Sequence, residues 1–274
     1  MNYPRSYRGS SEHKLSPVQF VPLSDSRNVT QEQLNLFQRI IGACTSPSKE
    51  CRERGHQLLS QDPRIQEVMP LLTPFIYKSM CINIAEEKLK FLIFIMRMIS
   101  ALLSHPTLNL DRYIHLLIPG PVACLLADQI SRNPGADDHW AVRMFANIIV
   151  SNIVERYKCT ESTVIESYTK ALEDEDKPLA TLFGAVIGLG KMGSHAIRQW
   201  LFPKVEYIAG RIEPYLKPDM EMSSVGLNTV AAMNICDELV HICGPVLAEY
   251  KPTEDEILIG AFAFLGLTEE QHSE

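Results

Sequence analysis

The sharpest chemical pattern in the 274-residue chain is Gly188-Leu189-Gly190-Lys191-Met192-Gly193, a G-x-G-x-x-G run preceded by Ala185-Val186-Ile187. In a dinucleotide site, glycines at this spacing allow a tight turn and a close approach of the pyrophosphate to a helix N-terminus. An acidic residue ~20 positions on then holds the ribose. Glu206 stands near that place, so the motif alone indicates an NAD-dependent oxidoreductase using Gly188, Gly190 and Gly193. Cys236, His241 and Cys243 offer metal-ligand chemistry, and Asp137-Asp138-His139, followed by Trp140, offers a carboxylate beside an imidazole. Arg97 and Arg143 each sit among apolar neighbours, where an arginine serves either as an interface anchor or as a member of a buried ion pair.

The elements that must position these groups argue against chemistry at each of them. A dinucleotide fold needs alternating strands and helices after its fingerprint, and the roughly eighty residues that follow Gly193 hold no strand-like run. The competing reading makes residues 178–192 one helix. Leu182, Phe183, Val186, Leu189 and Met192 then lie in contact positions, and Gly184, Gly188 and Gly190 permit close helix approach. Gly193 is the residue past its end. His241 lies five residues from Cys236, about 140° around a helix at ~100° per residue, so the three candidate ligands do not converge from one helix. Asp137 or Asp138, placed after Asn133-Pro134-Gly135 and before an apolar run, is a helix cap. No Ser/His/Asp or Cys/His set assembles from spacing alone. The sequence therefore assigns no catalytic, cofactor-binding or metal-binding residue.

The organisation around these motifs is all-α. Thr30 with Gln33 forms a capping box, and Val29 and Leu34 stand where a hydrophobic staple would join them, so a first helix runs to about Cys44. Helix-length apolar segments follow, with breaks at Ser46-Pro47, Asp62-Pro63, Asn83, His105-Pro106, Asn133-Pro134-Gly135, residues 173–177, Gly193-Ser194, Pro218 and Gly244-Pro245. Ser46-Pro47 and Asp62-Pro63 each read as a cap followed by proline at the first helical position. Between residues 85 and 104, Glu86, Lys90, Arg97, Ser100 and Ser104 share one narrow polar stripe, and the rest of the circumference is apolar. Such a helix is packed on several sides, as an inner helix of stacked pairs is. The expected architecture is an α-solenoid of about five HEAT-like helix pairs at a period near ~40 residues, with an irregular helical bundle as the alternative. It spans residues 30–250, between a lead-in over 1–29 and a tail over 251–274.

Composition narrows the function classes. Lys and Arg number 26 against 33 Asp and Glu, a formal net charge of −7, so no bulk positive field exists to neutralise phosphates. Seven cysteines without short paired spacing read as free thiols in a reducing compartment. Residues 1–14 lack the apolar core of a signal peptide, which leaves the Asn28-Val29-Thr30 sequon incidental. The apolar stretch at 91–103 is shorter than the ~20 residues a bilayer span requires.

Several blocks resemble the C-terminal HEAT-repeat domain of subunit 6 of TFIID, a TATA-binding-protein-associated factor, and of its SAGA-type paralogue. Met96-Arg97-Met98-Ile99-Ser100-Ala101-Leu102-Leu103, Pro106-Thr107-Leu108 and Tyr113-Ile114-His115-Leu116-Leu117-Ile118-Pro119 are similar to the family's central signature. Asp138-His139-Trp140-Ala141-Val142-Arg143 is similar to its aspartate/asparagine-His-Trp-Ala-hydrophobic-Arg block, and Met69-Pro70 with Phe75-Ile76 to its first repeats. Gly184, Gly188-Leu189, Gly193 and Leu201-Phe202-Pro203 resemble a late repeat in which the position of Gly190 more usually carries alanine. The resemblance implies a non-enzymatic nuclear scaffold that holds other TFIID or SAGA subunits in RNA polymerase II transcription initiation, without a cofactor, sequence-specific DNA contact or membrane, and with self-association left open. A generic HEAT adaptor in another complex is the alternative within the same class. Family members carry an N-terminal histone fold, which the 29 polar residues before the first helix do not supply. The expectation is a fragment beginning in the linker or a short variant.

Overall fold

In the computed structural model, residues 29–216 and 226–248 are described. The expected lead-in up to residue 28, the break at Pro218 and the tail over 251–274 lie outside the described residues. The first helix, α1 (Gln31–Cys44), starts on the expected capping box. Thr30 Oγ1 accepts the Gln33 backbone N–H at 3.2 Å, and Gln33 Oε1 accepts the Thr30 N–H at 3.0 Å. The next two starts differ from expectation. α2 (Lys49–Gln61) is capped by Ser48, whose hydroxyl accepts the Cys51 N–H, while Ser46 Oγ takes the Ser48 N–H in the preceding turn. Asp62 ends α2 instead of opening the next helix, and its carboxylate accepts the Arg64 N–H and Nε, each at 3.0 Å.

α3 (Ile65–Ala85) passes through the expected break at Asn83, whose side chain donates back to the Ser79 carbonyl. The helix ends two residues past it in a left-handed turn at Glu87, φ 56°. There the Lys88 N–H reaches the Asn83 carbonyl and the Glu87 N–H reaches Ile84, the pair of bonds that closes a Schellman end. α4 (Leu89–Leu103) follows with eight buried residues. Pro119, Gly120 and Pro121 then divide the next helix into α5 (Ile114–Leu117) and α6 (Pro119–Leu126). Beyond them come α7 (His139–Arg156), α8 (Glu161–Glu173), α9 (Leu179–Lys191) and the short α10 (Ser194–Ala196). A π turn at Ile197–Leu201 leads to α11 (Val205–Ile212), and α12 (Leu227–Ala248) continues through Pro245, where a break was expected.

These helices pair as α1/α2, α3/α4, α6/α7, α8/α9 and α11/α12. First helices pack on first helices along α1, α3, α6 and α8, and second helices on second helices along α2, α4, α7, α9 and α12. This two-row stacking of five pairs is the expected solenoid. It departs from regularity at its end, where α10, the π turn, α11 and α12 all close over α9 and bury it on nearly every side. One apolar core runs through the array from Leu36 to Leu247.

The longest apolar helices are not at residues 91–103. α3 and α12 are each long and apolar enough to cross a bilayer by length and composition alone. In the array, α3 turns Ile65, Val68, Met69, Leu72, Ile76 and Met80 into the core, and α12 does the same with Ile235, Leu239 and Cys243.

Candidate functional site

The chemistry-bearing residues converge on the C-terminal end of α6. The last carbonyls of a helix have no partner within it and carry partial negative charge. Here they are collected by α7, on which His139, Arg143 and Asn147 recur every fourth residue and so share one face. All three are buried. Arg143, with no exposed surface, donates from Nη1 to the Leu125 carbonyl and from Nη2 to the Ala127 carbonyl, each at 2.6 Å. Its partners are carbonyls, so it is neither an interface anchor nor a member of an ion pair. Burial pushes the guanidinium down to about 10, against the opposing influence of Cys124 and Asp128.

One turn further, Asn147 Nδ2 donates to the Ile187 carbonyl in the middle of α9 at 2.8 Å. Asp128, just past α6, accepts Thr181 Oγ1 at 3.2 Å and Lys177 Nζ at 3.1 Å. This seam ties α6, α7 and α9 through polar contacts that a slipped register would break.

The same device recurs along the array. Arg52 Nη1 takes the Ser46 and Pro47 carbonyls after α1 at 2.7 and 2.8 Å, Arg132 Nε takes the Glu86 carbonyl after α3 at 3.0 Å, and Arg156 Nη1 takes Leu103 at the end of α4 at 3.2 Å. Arg97, by contrast, is exposed. The two arginines that look alike in sequence therefore have different fates.

Asp137-Asp138-His139 is divided among three tasks. Asp138 caps α7 through the Ala141 N–H at 3.0 Å, and Asp137 accepts the Ser131 hydroxyl in a short bond. His139, 5% exposed, lies against Trp140 at 4.2 Å between ring centroids, and Trp140 meets Phe183 edge-on at 5.0 Å. Burial, reinforced by Arg143, lowers the imidazole to about 4, so it is neutral at pH 7.

The glycine motif lies in α9 and its end, with no strand before it. A Cβ at Gly184 would overlap the Leu125 carbonyl oxygen, and one at Gly188 would sit 2.6 Å from the Tyr168 ring. One at Gly190 would meet the tip of Ile242 at 2.6 Å. Gly193, at φ 90°, ends the helix in a conformation open only to glycine. The dinucleotide reading fails on this geometry, because the glycines face neighbouring helices and α9 offers no free N-terminus at the motif. Glu206 stands exposed on α11.

Cys243 is buried, Cys236 half-buried and His241 exposed, all on α12. Among the described residues no group of three His, Cys, Asp or Glu side chains is placed to hold a metal. All seven cysteines are unpaired, and burial pushes the thiols of Cys44, Cys124 and Cys243 up to about 12, which leaves them inert as nucleophiles. A polar cleft of about 260 Å³ opens between α4 and α7, lined by Ser100, Leu103, Ser104, Asn152, Glu155 and Arg156. Its arginine is already engaged by the Leu103 carbonyl. Sequence reasoning missed Asn147, Thr181 and Tyr168. For Asn147 the signal is its spacing, eight residues from His139 and four from Arg143 on the face of α7.

Residues 25–206 match the TAF6 C-terminal HEAT repeat domain. The chain is 30% identical over 262 residues to Transcription initiation factor TFIID subunit 6 of Drosophila melanogaster, covering 93% of this chain and 43% of that protein. It is also 30% identical over 198 residues to the SAGA complex/transcription factor TFIID complex subunit Taf6 of Schizosaccharomyces pombe, covering 70% of this chain and 43% of that one. The chain thus spans less than half the length of these relatives. Among solved structures, the TAF6 C-terminal domain from Antonospora locustae superposes with a TM-score of 0.55 at 17% identity, over 76% of this chain and 97% of that chain, which shows a shared fold. With a family model covering most of the helical array, and with the Asp138-to-Arg143 block supplying the cap of α7 and the clamp on the last carbonyls of α6, the chain belongs to the TAF6 C-terminal HEAT repeat domain family.

Proposed function

We propose that the chain is a non-enzymatic scaffold of the general transcription machinery, which binds other subunits of TFIID or a SAGA-type coactivator in the nucleus and supports initiation by RNA polymerase II. The observation that carries this reading is the use made of the chemistry-bearing residues. Arg143 and Asn147 tie three helices together through hydrogen bonds, and Gly184, Gly188 and Gly190 seat α9 against its neighbours. A stacked array of this kind presents long outer surfaces to protein partners and needs no catalytic constellation. The names of the relatives, subunits of TFIID and SAGA complexes, point the same way. A net charge of −7 suits a subunit that reaches promoter DNA through its partners. The structural core of the unit is the array from α1 to α12, within the expected limits of residues 30–250.

Affinity purification of the tagged chain from nuclear extract, with co-purifying proteins identified by mass spectrometry, tests the reading. Recovery of several TFIID or SAGA subunits is the expected result. Recovery of a different assembly, with neither set present, would move the chain to a generic HEAT adaptor.

A further inference from the structure

The polar cleft between α4 and α7 continues as a groove with a charge at each end. Ser100 and Ser104 of α4 line it on one side, and Asn152 and Glu155 of α7 on the other. One turn back along each helix, Arg97 joins the α4 row and Ile148, 49% exposed, joins the α7 row. Arg156, near the end of α7, reaches the Leu103 carbonyl at the end of α4, so the two helices lie side by side in the same direction. Arg97 to Ser104 and Ile148 to Glu155 are each seven residue steps, about 10 Å of helix. Arg97 and Ile148 thus stand at one end of the groove and Ser104 and Glu155 at the other.

The groove's charged groups are open. Among the described residues, Arg97, Asn152 and Glu155 are exposed and make no hydrogen bond or ion pair, while the Ser104 hydroxyl donates to the Ser100 carbonyl at 2.9 Å. The neighbouring cations are engaged elsewhere: Arg52 and Lys90 lie over the Phe94 ring at 4.9 and 5.8 Å, and Arg156 donates to the Leu103 and Leu108 carbonyls. On α2, which packs on the other side of α4, the His56 imidazole is held below its ordinary range by burial and then by Arg97 and Arg52, with Glu53 opposing. The field at the Arg97 end is therefore positive, and the groove is bipolar. At about 260 Å³ with a polar lining, it is smaller and more polar than the mostly apolar pockets of ~300–1,000 Å³ that hold small molecules. Glu155 and the net charge of −7 repel a polyanion.

We propose that this groove takes an extended peptide segment of a protein partner, with an acidic side chain at Arg97 and a basic one at Glu155. An extended chain advances ~3.3 Å per residue, so about three residues bridge the two charges. Between them the Asn152 amide supplies both a donor and an acceptor for the peptide backbone, and Ser100 supplies a hydroxyl. Ile148 gives an apolar contact beside the acidic residue. The inference rests on the scaffold reading, and the two fail separately. Recovery of neither TFIID nor SAGA subunits from nuclear extract would refute that reading while leaving a peptide preference in place.

Fluorescence polarisation with the purified full chain tests this. The probe is fluorescein-labelled Gly-Gly-Leu-Glu-Ser-Ser-Arg-Gly-Gly, with its reversed sequence to cover both backbone directions and analogues whose two charged positions are both Glu or both Arg. The tighter of the two mixed peptides should bind at least about fivefold more tightly than either like-charged analogue. Arg97→Glu should move the preference to the analogue with two Arg, and Glu155→Lys to the one with two Glu. Asn152→Ala should weaken the mixed peptides without changing the order. All three side chains are exposed, so the variants keep the native unfolding midpoint. Equal affinity for mixed and like-charged peptides, a preference that neither charge variant moves, or no saturable binding up to about 2 mM overturns the proposal. So does an oligothymidylate that binds more tightly than the mixed peptides and is lost in Arg97→Glu, since the groove then takes a nucleic acid.

Discussion

Replacing Arg143 gives a graded outcome whose order follows from the geometry. The guanidinium makes two charge-assisted bonds at 2.6 Å to the Leu125 and Ala127 carbonyls, each worth about 1.5–3 kcal/mol, so about 3–6 kcal/mol in all. Against this stands burial of the charge. A guanidinium lowered from 12.5 to about 10 is held charged in the native state at a cost of about 3 kcal/mol, at ~1.4 kcal/mol per pKa unit. Arg143→Met keeps the aliphatic volume and removes both the bonds and the penalty, for a net loss of about 0–3 kcal/mol. Arg143→Ala adds a cavity and costs about 2–3 kcal/mol more. Arg143→Lys keeps a buried charge but cannot fork to two carbonyls, and loses at least about 2 kcal/mol. Urea unfolding of the full chain, followed by far-ultraviolet circular dichroism, ranks the three. A lysine variant as stable as the native chain would refute the view that forked capping of α6 is what Arg143 does.

Three further outcomes follow from the same geometry. The imidazole of His139 is lowered from 6.5 to about 4, so the unfolded state binds more protons between those values. Stability is thus fully present above pH 6.5 and falls as pH drops toward 4, by about 2 kcal/mol at pH 5. Unfolding midpoints at pH 7.5 and 5 check this, with His139→Phe flattening the difference. A glycine-to-alanine series read by thermal unfolding should grade by what the new methyl meets. Gly184→Ala, against an immovable carbonyl, costs about 3 kcal/mol or more, and Gly188→Ala against the Tyr168 ring costs about 1–3. Gly190→Ala, which meets the Ile242 side chain from Cδ1 at 2.6 Å to Cγ2 at 3.0 Å, costs about 1–3 kcal/mol, while Gly210→Ala on open α11 stabilises by up to about 1. Glu87, left-handed at φ 56° and accepting Gln129 Nε2 at 2.9 Å, should stabilise the chain by about 0.5–1 kcal/mol on replacement by glycine. An unchanged or lowered unfolding midpoint would give more weight to the Gln129 bond.

What local chemistry controls was legible in the sequence. The Thr30 and Gln33 caps, Asp137 or Asp138 as the cap of α7, α9 as one glycine-bearing helix, and Gly193 as its end all depend on residues within a few positions of one another. So did the number of helix pairs, because each pair must bury a stripe that the spacing displays. Features decided by distant neighbours were not legible. Arg97 and Arg143 look equally apolar in context, and only the arrival of the α6 terminus, eighteen residues before Arg143, separates a buried cap from an exposed side chain. Asn83 and Gly244-Pro245 read as breaks because local propensity opposes helix there. Packing along α3 and α12 overrides that propensity. The closing of α10, α11 and α12 over α9 had no periodic signal, since a helix buried all round looks the same whichever partners bury it.

The most direct test of the scaffold proposal is incorporation of the labelled chain into TFIID or SAGA depleted of its own subunit 6, followed by gradient sedimentation. The account predicts that the chain travels with the large complex in a fixed stoichiometric ratio, and that Arg143→Lys, which loosens the register of α6, α7 and α9, lowers that ratio. A native chain that sediments by itself at the size of a free 274-residue protein, with the depleted complex unchanged, would contradict it.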